Sequence, residues 1–281
     1  MSLPIIDSHH HLWDYDPEQY PWIPPGSELQ RSYGLDDLAE HRGSYNVQAT
    51  IAIQARQTLE ETDWLIDLAK QYPLCRGVVG WVPLQDEGIE GVLERYADEP
   101  LLKGVRHVIQ DEADPEFMIR PDFIRGLQAL SKTRLRYDIL IFGHQLPNTI
   151  RMVDALPDDT PLVLDHIAKP VIKPGKMDQQ WARDFTELAK RPNVMCKLSG
   201  MATEVRAEDW DVSMLRPYAD LALQAFGPDR LMFGSDWPVC LLKTGYERWV
   251  STVLELIGSL GSDEQDKLLC RNAASFYGVT L

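Results

Sequence analysis

Leu3-Pro4-Ile5-Ile6-Asp7-Ser8-His9-His10-His11-Leu12-Trp13 is an apolar run that ends in three histidines. Short apolar runs of this kind recur along the chain and read as strands. Eight are predicted: Leu3–His9, Val47–Gln54, Gly77–Val82, Gly104–Gln110, Asp138–His144, Pro161–His166, Asn193–Leu198 and Arg230–Asp236. Between most of them lie stretches of helical period: one from the capping-box candidate Thr58-Leu59-Glu60-Glu61, then Gly88–Tyr96, Pro121–Leu130, Asn148–Leu156, Gln179–Lys190, Ser213–Phe226 and Tyr246–Leu260, with a last helix over Ser262–Phe276. Strand and helix alternating eight times in 281 residues predict an α/β fold, a single (β/α)8 TIM barrel spanning 1–281. The rival is an open doubly wound sheet, which signals a dinucleotide by a glycine-rich turn after its first strand. Here the first strand ends in histidine, and no glycine follows until Gly26.

The connection over residues 12–45 is long for one strand-to-helix turn. It carries Trp13, Tyr15, Tyr20, Trp22 and Pro24-Pro25, and is expected to lie over the C-terminal face of the barrel and wall its pocket. The formal charge of −15 disfavours nucleic acid and anionic membranes as partners and leans towards a neutral small molecule. Cys75, Cys196, Cys240 and Cys270 are scattered, without a C-x-x-C pair, which fits a reducing cytoplasm. No signal peptide and no transmembrane run is expected. A homo-oligomer is left open.

In a parallel barrel every strand's C-terminal end faces the same way, so strand-end groups converge. Here those groups are His9 and His11, Gln54, Gln110, His144, Asp165 and His166, Lys197 and Ser199, and Asp236. Residues two apart on a strand share a face, so His9 and His11, joined by Asp7, point together. Two imidazoles so placed repel when protonated and suit a shared divalent cation. Asp236, in Phe233-Gly234-Ser235-Asp236-Trp237-Pro238, is a carboxylate at a buried strand end, where a cation or a proton-transfer role is expected. Arg106 and His107 are adjacent, so only one of them lines the barrel; Arg106 or Lys197 is a candidate for holding a substrate carboxylate or hydroxyl.

With Asp7-x-His9-x-His11, His144, His166 and Phe-Gly-Ser-Asp236-Trp-Pro in place, the chain resembles the amidohydrolase superfamily, and within it the amidohydrolase-2 branch of lactonases and metal-dependent decarboxylases. Asp7–Trp13, Gly104–Glu112 and Cys196-Lys197-Leu198-Ser199-Gly200 are similar to its sugar-lactone hydrolases of the L-fuconolactonase type. The resemblance implies an amidohydrolase-like barrel with one divalent ion, zinc by preference, on His9, His11 and His144 with Asp236 at its edge. It implies Asp236 as the acceptor of a water proton and His166 as the acid–base or carbonyl-polarising group. The fourth strand ends in Val-Ile-Gln110 and offers no lysine to bridge two metals, so a binuclear site is not expected. The implied reaction is hydrolysis of an aldonolactone to the aldonic acid. Trp13, Gln54, Arg106, His107, Gln110, Lys197 and Trp237 are the expected substrate-facing residues, with Trp22 and Trp81 as further stacking candidates. The alternatives are metal-dependent decarboxylation of an aromatic or unsaturated acid, with Arg106 on its carboxylate, and a barrel that binds a sugar acid without turnover.

Overall fold

Mostly apolar segments, buried along nearly their whole length, make the eight strands: β1 (Ile5–His10), β2 (Val47–Ile53), β3 (Cys75–Gly80), β4 (Leu102–Val108), β5 (Arg136–Leu140), β6 (Leu162–Leu164), β7 (Val194–Leu198) and β8 (Leu231–Phe233). They pair in parallel, each with the next in chain order. The computed structural model describes residues 3–281, so the first two residues of the barrel expected over 1–281 lie outside the described residues. Between β8 and β1 the barrel is closed by a few bonds made at and just past the end of β8. Asp236 N–H donates to His9 O (2.7 Å), His11 N–H to Trp237 O (2.6 Å), and Ser8 Oγ to Phe233 O (2.6 Å).

The connecting helices are α1 (Leu35–His41), α2 (Leu59–Gln71), α3 (Ile89–Arg95), α4 (Pro121–Leu130), α5 (Leu146–Asp154), α6 (Gln179–Leu188), α7 (Val212–Phe226) and α8 (Tyr246–Leu256). α1 is a crossover helix inside the 12–45 connection, where the sequence showed none; it buries only Leu35 and Leu38, too few to give a periodic signal. At α2, half of the predicted capping box forms. Thr58 Oγ1 accepts from Glu61 N–H (3.1 Å), but the Glu61 carboxylate turns away to the N–H groups of Ala55 (3.0 Å) and Arg56 (2.7 Å), tying the end of β2 to the helix.

The chain ends in α9 (Ser262–Asp266), a π turn over Lys267–Arg271, and α10 (Asn272–Tyr277). This segment stoppers the N-terminal mouth of the barrel. Lys103 Nζ and Arg136 Nε, at the starts of β4 and β5, donate to Gly278 O (3.2 Å) and Phe276 O (2.7 Å). Cys270, Ala273, Phe276 and Tyr277 pack with Ile6, Ile51, Val79, Val163 and Met232 as the inner apolar plug. Above that plug the barrel interior turns polar, towards the C-terminal ends of the strands.

Candidate active site

The seam between β1 and β8 builds the centre of the site. On β1, Asp7 pairs with Thr50 and His10 with Ala52, three steps against two, so the strand carries one extra residue. That bulge breaks the alternation expected for Asp7, His9 and His11. Ile6 faces the inner plug, whereas the Asp7 carboxylate faces α8, where it accepts from Tyr246 Oη (3.1 Å) and Ser235 N–H (2.8 Å). His9 and His11 remain together, with their Nε2 atoms 3.2 Å apart. Asp236, at φ +57° in the left-handed region, swings its Oδ1 to 3.4 Å from His11 Nε2 and 3.7 Å from His9 Nε2.

The tautomers follow from the partners. His11 Nδ1 lies 2.9 Å from Ile53 O, which can only accept, so the proton sits on Nδ1. His9 has a donor at each nitrogen, Arg106 Nη1 at Nε2 (3.3 Å) and Lys197 Nζ at Nδ1 (3.2 Å), but the Asp165 carboxylate, which can only accept, lies at Nδ1 (Oδ1, 3.3 Å), and the proton is assigned there. Two Nε2 lone pairs therefore face each other across 3.2 Å, with a carboxylate oxygen beside them. Zinc bonds of about 2.0–2.1 Å in tetrahedral array place ligand atoms roughly 3.3 Å apart. The spacings of His9, His11 and Asp236 fit that requirement, and the three form a group able to hold one ion. Burial keeps all three nearby imidazoles neutral: it pushes His9 well below the ordinary histidine value, lowers His11, and takes His166 down to about 4. Burial pushes the Asp236 carboxyl up, but positive charge around it, from His166 and His11 when they are protonated and from Lys169, outweighs burial and holds the group below the usual carboxylate range.

Beneath this centre lies a buried layer of charge, which reaches the cavity at Arg106. Arg106 on β4 donates to Asp165 Oδ2 (3.1 Å), and through Nη2 to Gln54 O (2.6 Å) and Oε1 (2.9 Å). Lys197 on β7 lies 2.5 Å from Asp138 Oδ2, 3.0 Å from Asp165 Oδ1 and 3.2 Å from His9 Nδ1. Tyr277 reaches up from α10 to donate to Asp138 Oδ2 (2.8 Å). Burial raises Asp138 to about 6; Asp165 is also pushed up by burial, but Lys197, His9 and Arg106 together bring it well below the ordinary value.

After β6 the backbone makes a turn that L-residues rarely adopt. His166, Ile167, Ala168 and Lys169 all have φ between +45° and +60°. Each left-handed residue costs about 1–2 kcal/mol, a strain that persists only where the surrounding structure dictates it. Here Lys169 N–H donates to His166 O (2.8 Å) and Trp181 Nε1 to Ile167 O (3.0 Å). The turn aims His166 at Asp236, with Nε2 3.8 Å from Oδ1, while Nδ1 contacts Ser199 Oγ at 2.8 Å. Gly200 leaves room for this ring: a Cβ there would stand 2.6 Å from His166 Nδ1, at φ +61°. Gly200→Ala is therefore expected to displace His166 and to lower the melting temperature by several degrees, as about 1–2 kcal/mol of backbone strain requires. Turnover should fall with it; a variant with parental melting and turnover would show that the ring is not fixed here.

A cavity of about 480 Å³ opens over these groups at the C-terminal ends of the strands. His11, Gln54, Arg106, Gln110, His166 and Asp236 line it, as the strand-end reading expected, and so do Lys169, Leu140, Val239 and Leu242. The 12–45 connection contributes Trp22 and Pro24 to its wall. Gln54 Nε2 and Gln110 Oε1 are buried without a hydrogen-bond partner, leaving a donor and an acceptor at the cavity.

Five expected site residues lie elsewhere. His144 is exposed: β5 stops at Leu140, and the chain turns through Gly143–Gln145, where the imidazole stacks on Phe142 (6.1 Å between centroids) outside the cavity. His9, His11 and Asp236 form the metal-sized group without it. His107 points away from the barrel axis, opposite its neighbour Arg106; it contacts Glu112 Oε1 (2.6 Å), accepts from Trp81 Nε1 (3.3 Å) and stacks on Phe117. Lys197 is buried below the site among carboxylates. Trp13 is enclosed by Tyr20, Trp22 and Tyr33 and donates to Arg31 O (2.8 Å). Trp237 is buried against Tyr33 and His41. Asp138, Lys169 and Tyr277 are site-forming residues that the sequence reading did not single out. For Asp138 a signal existed, a carboxylate in the middle of an apolar strand.

The sequence profile of the family described as Amidohydrolase (Amidohydro_2) matches residues 6–279. The chain is 39% identical to an L-fucono-1,5-lactonase of Burkholderia multivorans, over 98% of this chain and 96% of the relative. It is 32% identical to an L-fucono-1,5-lactonase of Burkholderia ambifaria, over 98% of this chain and 95% of that one. A crystal structure of an amidohydrolase of Burkholderia multivorans with bound zinc superposes with a TM-score of 0.91 at 39% identity, covering 98% of this chain and 99% of that chain. Among the described residues, no helix is long and apolar enough to cross a membrane.

Proposed function

We propose that the chain, which belongs to the amidohydrolase family, hydrolyses the ring ester of a sugar-acid lactone similar to L-fucono-1,5-lactone. One observation carries the reading: a carboxylate, Asp236, stands beside three neutral imidazoles at a cavity whose unpaired groups include an amide donor on Gln54 and an amide acceptor on Gln110. Such groups pair with hydroxyls, and an unmade buried hydrogen bond costs about 1–3 kcal/mol, so a polyhydroxylated neutral molecule fits them. Trp22, Leu140, Val239 and Leu242 offer the apolar walls against which a sugar ring's C–H face packs. The lactonase relatives share the same overall chain.

In the proposed reaction a water oxygen bonds to the ester carbonyl carbon, and Asp236 takes the water's proton. The tetrahedral intermediate collapses, the bond from carbonyl carbon to ring oxygen breaks, and that oxygen needs a proton. His166, neutral and 3.8 Å from Asp236, is placed to relay the proton from the carboxylate to the leaving alkoxide. The products are the aldonic acid and the restored Asp236 carboxylate. A divalent ion held by His9, His11 and Asp236, zinc by preference, would lower the pKa of water towards neutrality. Arg106, held by Asp165 and Gln54, is less suited to gripping a substrate carboxylate, which counts against the decarboxylase alternative.

The test is acid release in weakly buffered indicator with a panel of aldonolactones that includes L-fucono- and D-arabinonolactone. The protein is assayed as purified, after chelation, and with added zinc or manganese. Turnover above the spontaneous rate is the expected result. No turnover in any metal state would remove the lactonase reading, and carbon dioxide release from an aromatic acid would replace it with the decarboxylase.

A further inference from the structure

Two cations line the cavity, and they differ in how they are held. The Arg106 guanidinium is fixed by Asp165 and by both oxygens of Gln54. Lys169 has no carboxylate within 4 Å among the described residues, and its ammonium stands 5.7 Å from the centre of the Phe142 ring. Its position is no accident of a flexible surface chain. Lys169 is the last residue of the left-handed turn that begins at His166, and the same strained backbone presents both side chains to one cavity. Strain of this kind concentrates where the geometry of a side chain serves a reaction. Burial pulls the Lys169 ammonium below the ordinary lysine value, and Asp236 and Glu204 oppose this from a distance; Glu204 is itself paired with Arg206 (3.0 Å).

Resting on the lactonase reading, we infer that Lys169 is a catalytic residue whose ammonium donates hydrogen bonds to the ester carbonyl oxygen as that oxygen gains negative charge. When water adds to the carbonyl carbon, the π pair moves onto the carbonyl oxygen, and the water proton goes to Asp236. The imidazoles are neutral and both terminal nitrogens of Arg106 are bonded, its unpartnered Nε being buried, so among the described residues Lys169 is the cavity-wall cation whose charged end is free to meet the new oxyanion. Collapse re-forms the carbonyl and releases the ring oxygen, which takes the proton from Asp236 through His166; the aldonic acid then gives its own proton to solvent, leaving a carboxylate facing the same ammonium. The site should therefore recognise the aldonate product through its charge as well as its hydroxyls.

The experiment compares the wild-type protein with Lys169→Met and Lys169→Arg, all checked for cooperative melting. Lys169→Met is expected to lower kcat about 10²–10³-fold, the effect of removing one well-placed oxyanion donor, with little change in KM. Lys169→Arg should recover part of that loss. Calorimetric titration of the wild-type protein should show L-fuconate bound at least tenfold more tightly than L-fucitol, its uncharged analogue, with the preference lost in Lys169→Met. Near-parental kcat in a folded Lys169→Met, or equal wild-type affinity for the aldonate and the alditol, would overturn the inference alone. A wild-type protein that opens no lactone and binds neither ligand would overturn the lactonase reading, and this inference with it.

Discussion

Asp236→Asn is expected to fold with a melting temperature near that of the parent and to lose about 10²–10⁴-fold in kcat, the range associated with a general base. Folding should survive because the position demands little that asparagine lacks. Residue 236 sits at φ +57°, and asparagine is among the few residues that enter the left-handed region readily. The bonds that fix it are made by the backbone: Asp236 N–H to His9 O (2.7 Å) and Cys240 N–H to Asp236 O (2.8 Å). The amide also keeps one oxygen to face the imidazoles. What disappears is a carboxylate able to take a proton, since an amide is not a base at neutral pH. Asp236→Ala would confuse the two effects by adding left-handed strain. Steady-state assays on an aldonolactone, together with thermal melts and zinc stoichiometry, separate chemistry from folding and metal loss. Turnover within a few-fold of the parent would take Asp236 out of the mechanism.

The parts of the site that could be read from the sequence are those carried by strand ends. His9, His11, His166 and Asp236 each follow an apolar run, and parallel strands bring their C-terminal ends together whatever the exact lengths. His144 shows where that logic gives out. The run Ile139-Leu140-Ile141-Phe142 reads as one strand, but pairing stops at Leu140, and the following turn carries the imidazole to the surface. Apolar residues that pack above a strand end look the same in sequence as residues within it. The orientation of Asp7 was illegible for a different reason: one extra residue in β1 inverts every parity argument made across it. Lys169 depends on a left-handed turn written without a glycine, which no local residue preference announces. Asp138 and Lys197 meet across the barrel interior, and Tyr277 joins them only because the last helix stoppers the barrel, a contact between positions 139 residues apart.

That buried trio sets the largest stability effect expected of any single substitution here. Lys197→Met should cost about 3–5 kcal/mol, the usual consequence of removing one partner from a buried ion pair. Methionine matches the length of the lysine stem, so the loss comes from charge and not from a cavity. Asp138 and Asp165 would then share the barrel interior with Arg106 alone on the cationic side, and Asp138 would keep just the Tyr277 hydroxyl as donor. Asp138 is already raised to about 6 with Lys197 present, because burial outweighs the ammonium. Without Lys197 its folded pKa rises further above the unfolded value of about 3.9. A carboxyl raised in the folded state holds its proton longer there than in the unfolded chain, so its contribution to stability falls as pH rises through the folded pKa. The deficit of Lys197→Met relative to the parent should accordingly be greater at pH 8 than at pH 5. Adding Asp138→Asn should recover part of the loss at pH 8, since the amide oxygen still accepts from Tyr277 and no unpaired charge remains at that position. Urea denaturation at the two pH values measures each term. A deficit that is the same at both, and that Asp138→Asn does not relieve, would mean that Lys197 supports the barrel by packing and not by neutralising the carboxylates beneath His9.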